Sequence, residues 1–258
     1  MTLLINHQKA FLTRPNAIIF DTDNTLYAYD HPHQLAMEAV NQKACKLLLV
    51  KPDDFNNAYK QARDQIKKQL GMTASSHSRL LYFQRAIEIL GMRTQLLMTL
   101  DLEQTYWRTF LGASEIFPGV QDFVQDLRTV GIQTAIVTDL TAQIQFRKII
   151  YFGLDNYFDY VVTSEEAGAD KPAKAPFEIA LDKLQVHPEN CWMIGDSAHA
   201  DIAGARNLNI VTIQKRHYGV VVPKGDEAAD AVFDDFSDLR FLLKSRGWVV
   251  DGFEEEHA

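Results

Sequence analysis

The sequence contains few of the residues that mark secreted or metal-stapled proteins. Only two cysteines occur in 258 residues, Cys45 and Cys191, and neither lies in a paired spacing such as Cys-x-x-Cys. Because disulfide frameworks and structural zinc sites need several closely spaced cysteines, both are predicted to be packing residues in a reducing cytoplasm. The N-terminus also lacks the charged start, apolar run and cleavage site of an export signal.

Basic charge and long apolar stretches are scarce as well. The formal net charge is −8, and the only compact basic cluster is Lys215, Arg216 and His217. Nucleic acid is therefore not an expected partner, because its binding needs a concentrated positive face. The longest apolar runs fall far short of the ~20 residues that a membrane helix requires, so no membrane association is predicted. The run Glu254–Glu256 is predicted to be a solvated end, and the sequence gives no indication of oligomeric state.

Six short apolar segments predict the strands of a parallel sheet. They do not clearly alternate between apolar and polar residues, which is typical of strands covered by helices on both faces. Helical patterns separate several of them, and the pattern from Val120 to Val130 ends at Gly131, a predicted helix stop. This alternation predicts an α/β fold with a doubly wound parallel sheet. The six segments are Ala17–Phe20, Thr134–Val137, Tyr160–Val162, Cys191–Ile194, Ile210–Ile213 and Ala231–Phe233.

The region after the first predicted strand breaks this alternation, because it carries helical patterns only. Phe117-Pro118-Gly119 marks the return to the α/β pattern. We therefore predict a Rossmann-like core of residues 1–27 and 114–258, with an inserted all-helical cap domain of residues 28–113. The apolar faces that predict its helices are Met37, Val40, Ala44, Leu47 and Leu48, and Leu80, Phe83, Ile87 and Leu90 before Gly91.

Two carboxylates, Asp21 and Asp23, directly follow the first predicted strand. Ligand sites in a doubly wound sheet form at the carboxyl ends of its strands. In an extended chain the two side chains would point the same way, and their repulsion would need a cation or a proton to compensate it. Asp-x-Asp alone is common, however, and a solvated turn capped by Asn24 explains it equally well.

Three further segments favour a catalytic interpretation. One predicted strand ends in Thr138, whose hydroxyl can donate to a phosphate oxygen. Lys171, in Asp-Lys-Pro, can neutralise the charge of a phosphate and a nucleophile, although an isolated lysine is usually a surface residue. The fourth predicted strand runs into Gly195-Asp196-Ser197, and Asp201 follows at the start of a helical pattern. These segments predict an acidic, phosphate-binding site at the sheet edge.

The four motifs in this order resemble the haloacid dehalogenase-like hydrolase superfamily. They are D-x-D-N-T-L, a strand ending in threonine, K-P-x5-F and G-D-S-x4-D, and the resemblance covers nearly the whole chain. The helical insertion matches the position and character of the family's C1 cap. The resemblance implies hydrolysis of a small phosphorylated metabolite such as a sugar phosphate, an acid-sugar phosphate or a nucleotide. The segment D-N-T-L-Y is similar to the corresponding segment of pyrimidine 5'-nucleotidases and N-acylneuraminate-9-phosphatases.

The resemblance also implies roles for individual residues. Asp21 would attack phosphorus to give an aspartyl-phosphate, and Asp23 would protonate the leaving oxygen and then activate water. The implied metal is Mg²⁺, held by the Asp21 and Asp196 carboxylates and the Asp23 carbonyl, with Asp201 behind the direct ligands or reached through water. The implied phosphate-binding residues are Thr138, Asp139 and Lys171.

Several neighbouring residues carry weaker expectations. Asp139 departs from the asparagine or serine usual in the family, so it is expected to turn away from phosphate or to find a cation. His199 is predicted to be a surface residue, and His31 and His33 to be solvated loop residues. Tyr27 is expected to pack against the hinge of the insertion.

Three alternative functions stay open at the level of sequence. A 2-haloacid dehalogenase keeps the nucleophilic aspartate but needs neither a metal nor a second aspartate, so Asp23 and Asp196 argue against it. A phosphomutase shares the core and differs in how the cap excludes water. A non-catalytic binding protein on the same scaffold would have no reason to retain the full set of motifs.

Overall fold

A seven-stranded sheet forms the centre of the computed structural model, which describes residues 3–249. The run Glu254–Glu256 lies outside this range. The strand order is β1-β7-β6-β5-β2-β3-β4, and every neighbouring pair is parallel except β1 with β7. The strands are β1 Leu4–Ile5, β2 Ala17–Phe20, β3 Gln133–Thr138, β4 Tyr160–Thr163, β5 Cys191–Gly195, β6 Val211–Lys215 and β7 Ala231–Phe233.

The predicted strands are confirmed, with ends that move by one or two residues. Every residue of β2 is buried, yet alternate side chains belong to different cores: Ile18 and Phe20 pack on one face, and Ala17 and Ile19 on the other. Both faces are covered because helices follow the parallel strands on either side of the sheet. This double burial accounts for the continuous apolar runs in the sequence.

The edge strand β1 was not predicted. It spans only Leu4–Ile5 and pairs antiparallel with β7, with Leu4 opposite Val232. Two residues carry no periodicity, so only a partner more than 220 positions away can define such a strand. The doubly wound parallel sheet is thus confirmed, with one short antiparallel addition at its edge.

Helices of the core connect the strands and cover both faces of the sheet. The helix that begins at Val120 ends at Thr129, just before the predicted stop at Gly131, which has a left-handed φ of 70°. The core helices are α5 Val120–Thr129, α6 Ala142–Tyr151, α7 Ser164–Ala167, α8 Lys174–Leu184, α9 Gly204–Arg206 and α10 Phe236–Ser245, with a π-helical segment at Ala198–Ala203.

Four long helices occupy the region between β2 and α5, as the sequence predicts. Val40 and Ala44 are fully buried in the first of them, but Leu47 is 45% exposed, so its assignment to the buried face was wrong. The helix ends at Leu48, and the backbone turns left-handed at Leu49. The four helices are α1 Asp30–Leu48, α2 Pro52–Leu70, α3 Arg79–Ile89 and α4 Leu96–Gly112, with a 3₁₀ turn at Ala74–His77. The domain boundaries at residues 28 and 113 stay a prediction.

The two chain connections to the helical region lie side by side. Tyr27 forms isolated β-bridges with Asp23 and with Ile116, and the Phe117 amide donates to the Leu26 carbonyl at 2.8 Å. Tyr27 itself is buried, which confirms its packing at this hinge. The segment Asp21–Leu26 is therefore attached directly to the point where the helical region leaves the core.

The basic cluster of the sequence does not form a positive face. Lys215 is buried with its ammonium over the ring of Phe117, and Arg216 pairs with Asp234 at 2.6 Å. Among residues 3–249, no helix combines the length and the apolar character required to cross a bilayer.

Candidate active site

The carboxyl edge of three adjacent strands brings the sequence motifs together. Asp21 follows β2, Thr138 ends β3 and Asp196 follows β5, and β2 lies between the other two strands. The Asp21 amide continues the ladder by donating to the Ile194 carbonyl at 2.9 Å. Parallel strands share one carboxyl edge, so motifs more than 100 residues apart meet there.

A tight turn separates the two carboxylates of the first motif. The Leu26 amide donates to the Thr22 carbonyl at 2.9 Å, and Asn24 adopts a left-handed φ of 62°. The Asn24 side chain accepts from the Tyr29 amide, which holds this conformation. The strand stops at Phe20, so the chain is not extended from Asp21 to Asp23. The expectation that the two carboxylates share one direction was therefore wrong, and each pairs with a different lysine.

Lys171 is the buried cation that contacts the nucleophile candidate Asp21. Its ammonium donates to the Asp21 carboxylate at 2.6 Å, the Asp201 carboxylate at 2.7 Å and the Val137 carbonyl at 2.9 Å. These three bonds use all three protons of the ammonium group. Lys171 is 4% exposed, which excludes the surface-lysine interpretation.

Three carboxylates form a compact group around this cation. Oxygen atoms of Asp21, Asp196 and Asp201 all lie within 4.8 Å of one another. Asp201 is fully buried and accepts a hydrogen bond from the Ser197 amide at 2.9 Å. Gly195 permits this approach, because a Cβ at that position would lie 2.4 Å from the Asp201 carboxylate. Residue 195 therefore has to be glycine if Asp201 is to lie behind the turn.

Burial and mutual repulsion hold protons on two of these groups. Burial raises the pKa of Asp21 to about 7, with Asp201 adding to the effect against the lowering influence of Lys171. Burial, Asp21 and Asp201 raise the pKa of Asp196 to about 8. Lys171 alone thus does not compensate the negative charge of the group.

Asp23 lies in a different electrostatic environment. Burial is the largest influence and opposes its ionisation, but the Lys148 ammonium, at 2.8 and 3.0 Å from its two oxygens, acts with Tyr27 and Arg79 to lower the pKa of Asp23. The Tyr27 hydroxyl donates to the same carboxylate, and the charge of Arg79 contributes further. The Asp23 side chain therefore lies outside the three-carboxylate group, and the expectation that its main-chain carbonyl faces a metal stays a prediction.

Lys148 is the main site residue that the sequence analysis missed. It lies on α6, is 2% exposed and is surrounded by the rings of Tyr27, Trp107 and Phe110 at 5.5 to 5.6 Å. The available signal was its position four residues after Ile144, on the buried stripe of the helix. A lysine on such a stripe needs a buried anion as its partner.

The second motif is held by a hydrogen-bond network beside the carboxylates. The hydroxyls of Thr138 and Thr22 lie 2.8 Å apart, and the Gln145 amide group donates to Thr138 at 2.9 Å. The Asp139 carboxylate accepts from the main-chain amide of Lys171 at 3.0 Å. Asp139 thus finds an amide donor, where the sequence predicted that it would turn away or find a cation, and it fixes the loop that carries Lys171.

A cavity of about 300 Å³ opens above the predicted residues. The core contributes the carboxylates, Thr138, Lys148 and Lys171, and the helical region contributes Tyr29, His77, Arg79 and Trp107. The two sides are joined at the rim, where the His77 imidazole lies 3.0 Å from the Asp170 carboxylate. The Asp170 amide also donates to the Met72 carbonyl at 3.1 Å. Every residue named as catalytic, phosphate-binding or metal-binding from sequence lines this cavity.

The histidines divide into exposed and packed residues. His31 and His199 are exposed as predicted, although His31 lies in the first turn of α1 and not in a loop. His33 is not a solvated loop residue, because its ring stacks on Tyr29 and its Nδ1 lies 2.7 Å from the Tyr106 hydroxyl. Burial and nearby arginines lower the pKa of His33 to about 4, so it stays neutral at physiological pH.

The donor set of the carboxylate group fits a hard divalent cation. Three carboxylates supply only oxygen ligands, and oxygen donors favour Mg²⁺ or Ca²⁺ over softer metals. The Asp196 carboxylate has no cationic partner within residues 3–249, while Asp21 and Asp201 share Lys171. A bound cation would replace the protons that the raised pKa values retain on Asp21 and Asp196.

The sheet, the carboxylate group at its edge and the helices above it match the arrangement expected of a hydrolase with a Rossmann-like core. The chain belongs to the haloacid dehalogenase-like hydrolase family, whose model matches residues 15–209. The resemblance stated from the sequence is thereby confirmed.

Two relatives and one solved structure agree with membership of this family. The chain is 36% identical to a ribulose-1,5-bisphosphate 5-phosphatase of Halopiger xanaduensis, over 76% of this chain and 83% of the relative. It is 30% identical to a glyceraldehyde 3-phosphate phosphatase of Methanothermobacter thermautotrophicus, over 76% and 84% of the two chains. The fold is similar to that of a 2-haloacid dehalogenase from Pseudomonas syringae, with a TM-score of 0.72, 21% identity, and coverage of 89% and 98%.

Proposed function

We propose that this protein is a magnesium-dependent phosphatase of a small phosphomonoester and that Asp21 forms the covalent intermediate. The observation that carries this proposal is the group of Asp21, Asp196 and Asp201, whose oxygens lie within 4.8 Å of one another in the lining of the cavity, with Lys171 bridging Asp21 and Asp201. The two relatives named above are phosphatases of phosphorylated sugars. A sugar phosphate is therefore the substrate class that we favour over a nucleotide.

In the first step, a carboxylate oxygen of Asp21 attacks phosphorus. A bond forms between Asp21 and phosphorus, and the bond from phosphorus to the ester oxygen breaks. Asp23, which is ionised in the free protein, takes a proton from the bound phosphomonoester monoanion and passes it to the leaving oxygen. Lys171 already donates to Asp21, so it orients the nucleophile and offsets the charge of the phosphoryl group. Thr138 lies beside them as a hydroxyl donor to a phosphoryl oxygen.

In the second step, water hydrolyses the aspartyl-phosphate. Asp23, now ionised, takes a proton from the water, which attacks phosphorus and releases inorganic phosphate and the free Asp21 carboxylate. Lys148 and Tyr27 hold the Asp23 carboxylate and favour its ionised form, which suits it to act as the base in this step. Mg²⁺, held by Asp21, Asp196 and Asp201, would supply charge stabilisation for the phosphoryl group.

We also propose that residues 28–113 act as a cap that closes the site. Tyr29, His77, Arg79 and Trp107 cover the cavity from this side, and the pairing of His77 with Asp170 joins cap and core opposite the hinge at Tyr27. Such closure excludes water from the first step and leaves room for substrate selection by cap side chains.

The proposal is tested by phosphate release from a panel of phosphomonoesters with Mg²⁺ and with EDTA. We expect hydrolysis to require the ion, with at least about a 100-fold loss of kcat/KM on its removal. Halide release from 2-haloacids would favour the dehalogenase, and isomerisation without phosphate release would favour the mutase. A failure to turn over any panel member, with Mg²⁺ bound, would contradict the phosphatase assignment.

The raised pKa values predict that Mg²⁺ affects stability in a pH-dependent way. Without the ion, folded Asp21 and Asp196 retain protons that the unfolded chain releases above about pH 4, so the free energy of unfolding falls as pH rises toward about pH 8. Mg²⁺ should stabilise the protein more strongly at the alkaline end, because it replaces those protons. Thermal unfolding with Mg²⁺ and with EDTA measures this difference across the pH range.

The matched variant for this measurement is Asp196→Asn, which removes one of the two protonated carboxyls. Its unfolding temperature in EDTA should depend less on pH than that of the parent, and Mg²⁺ should raise it less. An Asp196→Asn variant with the same pH dependence and the same response to Mg²⁺ as the parent would exclude Asp196 from the metal site.

A further inference from the structure

The cap side of the cavity contains a guanidinium group whose charge the proposed chemistry does not use. Arg79 is the first residue of α3 and lines the cavity together with Tyr29, His77 and Trp107. The carboxylates and lysines of the catalytic group all come from the core. Arg79 is thus the permanent positive charge that the cap contributes to the lining.

The contacts of Arg79 position its side chain without neutralising it. Nη1 donates to the His77 carbonyl at 2.9 Å, and Nη2 donates to the Tyr29 hydroxyl. The guanidinium lies over the rings of Tyr82 and Tyr106, 5.5 and 5.2 Å from their centroids. All of these neighbours are formally neutral, and arginine stays charged at any physiological pH.

One donor of the guanidinium group is buried without a partner. Arg79 Nε has no hydrogen-bond acceptor in the described part of the chain, although the atom is removed from solvent. Within residues 3–249, no carboxylate lies at ion-pair distance from Arg79. Arg79 as a whole is partly buried, and a buried donor without an acceptor beside a charge without a counter-ion is unfavourable, so the site lacks an anionic partner.

The nearest catalytic carboxylate is not that partner. Asp23 accepts two hydrogen bonds from Lys148, at 2.8 and 3.0 Å, and a third from the Tyr27 hydroxyl. Its charge is therefore already paired with Lys148, and the charge of Arg79 acts on it only from beyond ion-pair distance. An anion for Arg79 has to enter the cavity from outside, and the substrate is the molecule that does so.

We propose that Arg79 forms a subsite for a second anionic group of the substrate, at the end remote from the phosphoryl group that is hydrolysed. The group is a phosphate or a carboxylate, because both match the planar fork of donors that a guanidinium presents. The inference rests on the proposed phosphatase function and narrows its substrate class to phosphomonoesters with an anionic tail. It also gives the cap a direct part in substrate selection.

The subsite is tested with three series of linear phosphomonoesters of matched chain length. Alkanediol monophosphates have a neutral tail, and O-phosphorylated hydroxyalkanoic acids have a carboxylate tail. Alkanediol bisphosphates have a phosphate tail. We expect the parent enzyme to favour the anionic tails by about 10- to 100-fold in kcat/KM, the effect of a charge-assisted pair. The last two series distinguish which anion the subsite binds.

Two substitutions separate recognition from structure. Arg79→Met should abolish the preference, so that kcat/KM is about equal for anionic and neutral tails. Arg79→Lys should retain part of the preference because the charge remains. Arg85→Met is the matched control on the same helix, since Arg85 pairs with Glu88 and Gln65 away from the cavity. It should keep the preference of the parent. If Arg79→Met does not fold, the weakened preference in Arg79→Lys provides the test.

The possible outcomes are distinct. If the parent hydrolyses all three series equally, or if Arg79→Met lowers kcat/KM by one common factor for every tail, Arg79 supports the cap only and the subsite is wrong. The phosphatase function would stand in both cases. If no series is hydrolysed, the proposed function fails and the inference fails with it.

Discussion

The Asp21→Asn variant should lose at least about 10⁴-fold in kcat/KM for phosphate release. An amide oxygen is a poor nucleophile, and it also gives up the charge that Asp21 offers to Lys171 and to a divalent cation. Rapid quenching followed by mass measurement should detect one phosphoryl group on the parent chain during turnover. The variant should show none.

The fold of this variant should persist. Ionised Asp21 is buried and its pKa is raised, so the neutral amide relieves an unfavourable charge while Lys171 keeps Asp201 as its partner. Asp182→Asn, at an exposed position on α8, is the matched control and should have the activity of the parent. Turnover by Asp21→Asn at the rate of the parent would show that Asp21 is not the nucleophile.

Lys171→Met should combine a loss of about 10³-fold in kcat/KM with a loss of stability. The substitution leaves Asp21 and Asp201 buried without the ammonium that bridges them, and their repulsion then opposes folding. Removing one partner of a buried ion pair costs about 3 kcal/mol or more in the free energy of unfolding, and Mg²⁺ should restore part of it. Urea unfolding and steady-state kinetics measure the two effects separately.

Lys174→Met provides the comparison for this second variant. Lys174 is an exposed lysine three positions further along the same segment, so its substitution should change neither kcat/KM nor the free energy of unfolding. If the activity of Lys171→Met falls only in proportion to its unfolded fraction, Lys171 acts in folding and not in phosphoryl transfer.

The sequence predicted the placement of the motifs because parallel strands impose it. Asp21, Thr138 and Asp196 each follow or end a buried strand, and the carboxyl ends of such strands form one edge. No long-range coordinate was needed to infer that these side chains would meet. The buried strands were equally accessible, because a short and continuous apolar run is typical of a strand that helices cover on both faces.

Residues without a local pattern could not be placed in this way. The edge strand Leu4–Ile5 is too short for periodicity, and Leu47 fits an apolar stripe but lies where the helix end reaches solvent. Asp139 reads as a repulsive neighbour of phosphate, whereas its actual partner is the main-chain amide of Lys171, 32 positions away. Each of these outcomes depends on a contact that the chain makes only after folding.

The sequence by itself determined the α/β class, the helical insertion, and the set of carboxylates, threonine and lysine that converge at one edge. Periodicity and strand-end position are local properties, so they are readable from consecutive residues. Tertiary structure alone decided that Lys148 would hold Asp23 and that Arg79, in the same cavity, would lack an ion-pair partner among residues 3–249. The pairing of a buried charge depends on which groups folding brings within a few ångströms, and sequence spacing does not encode that distance.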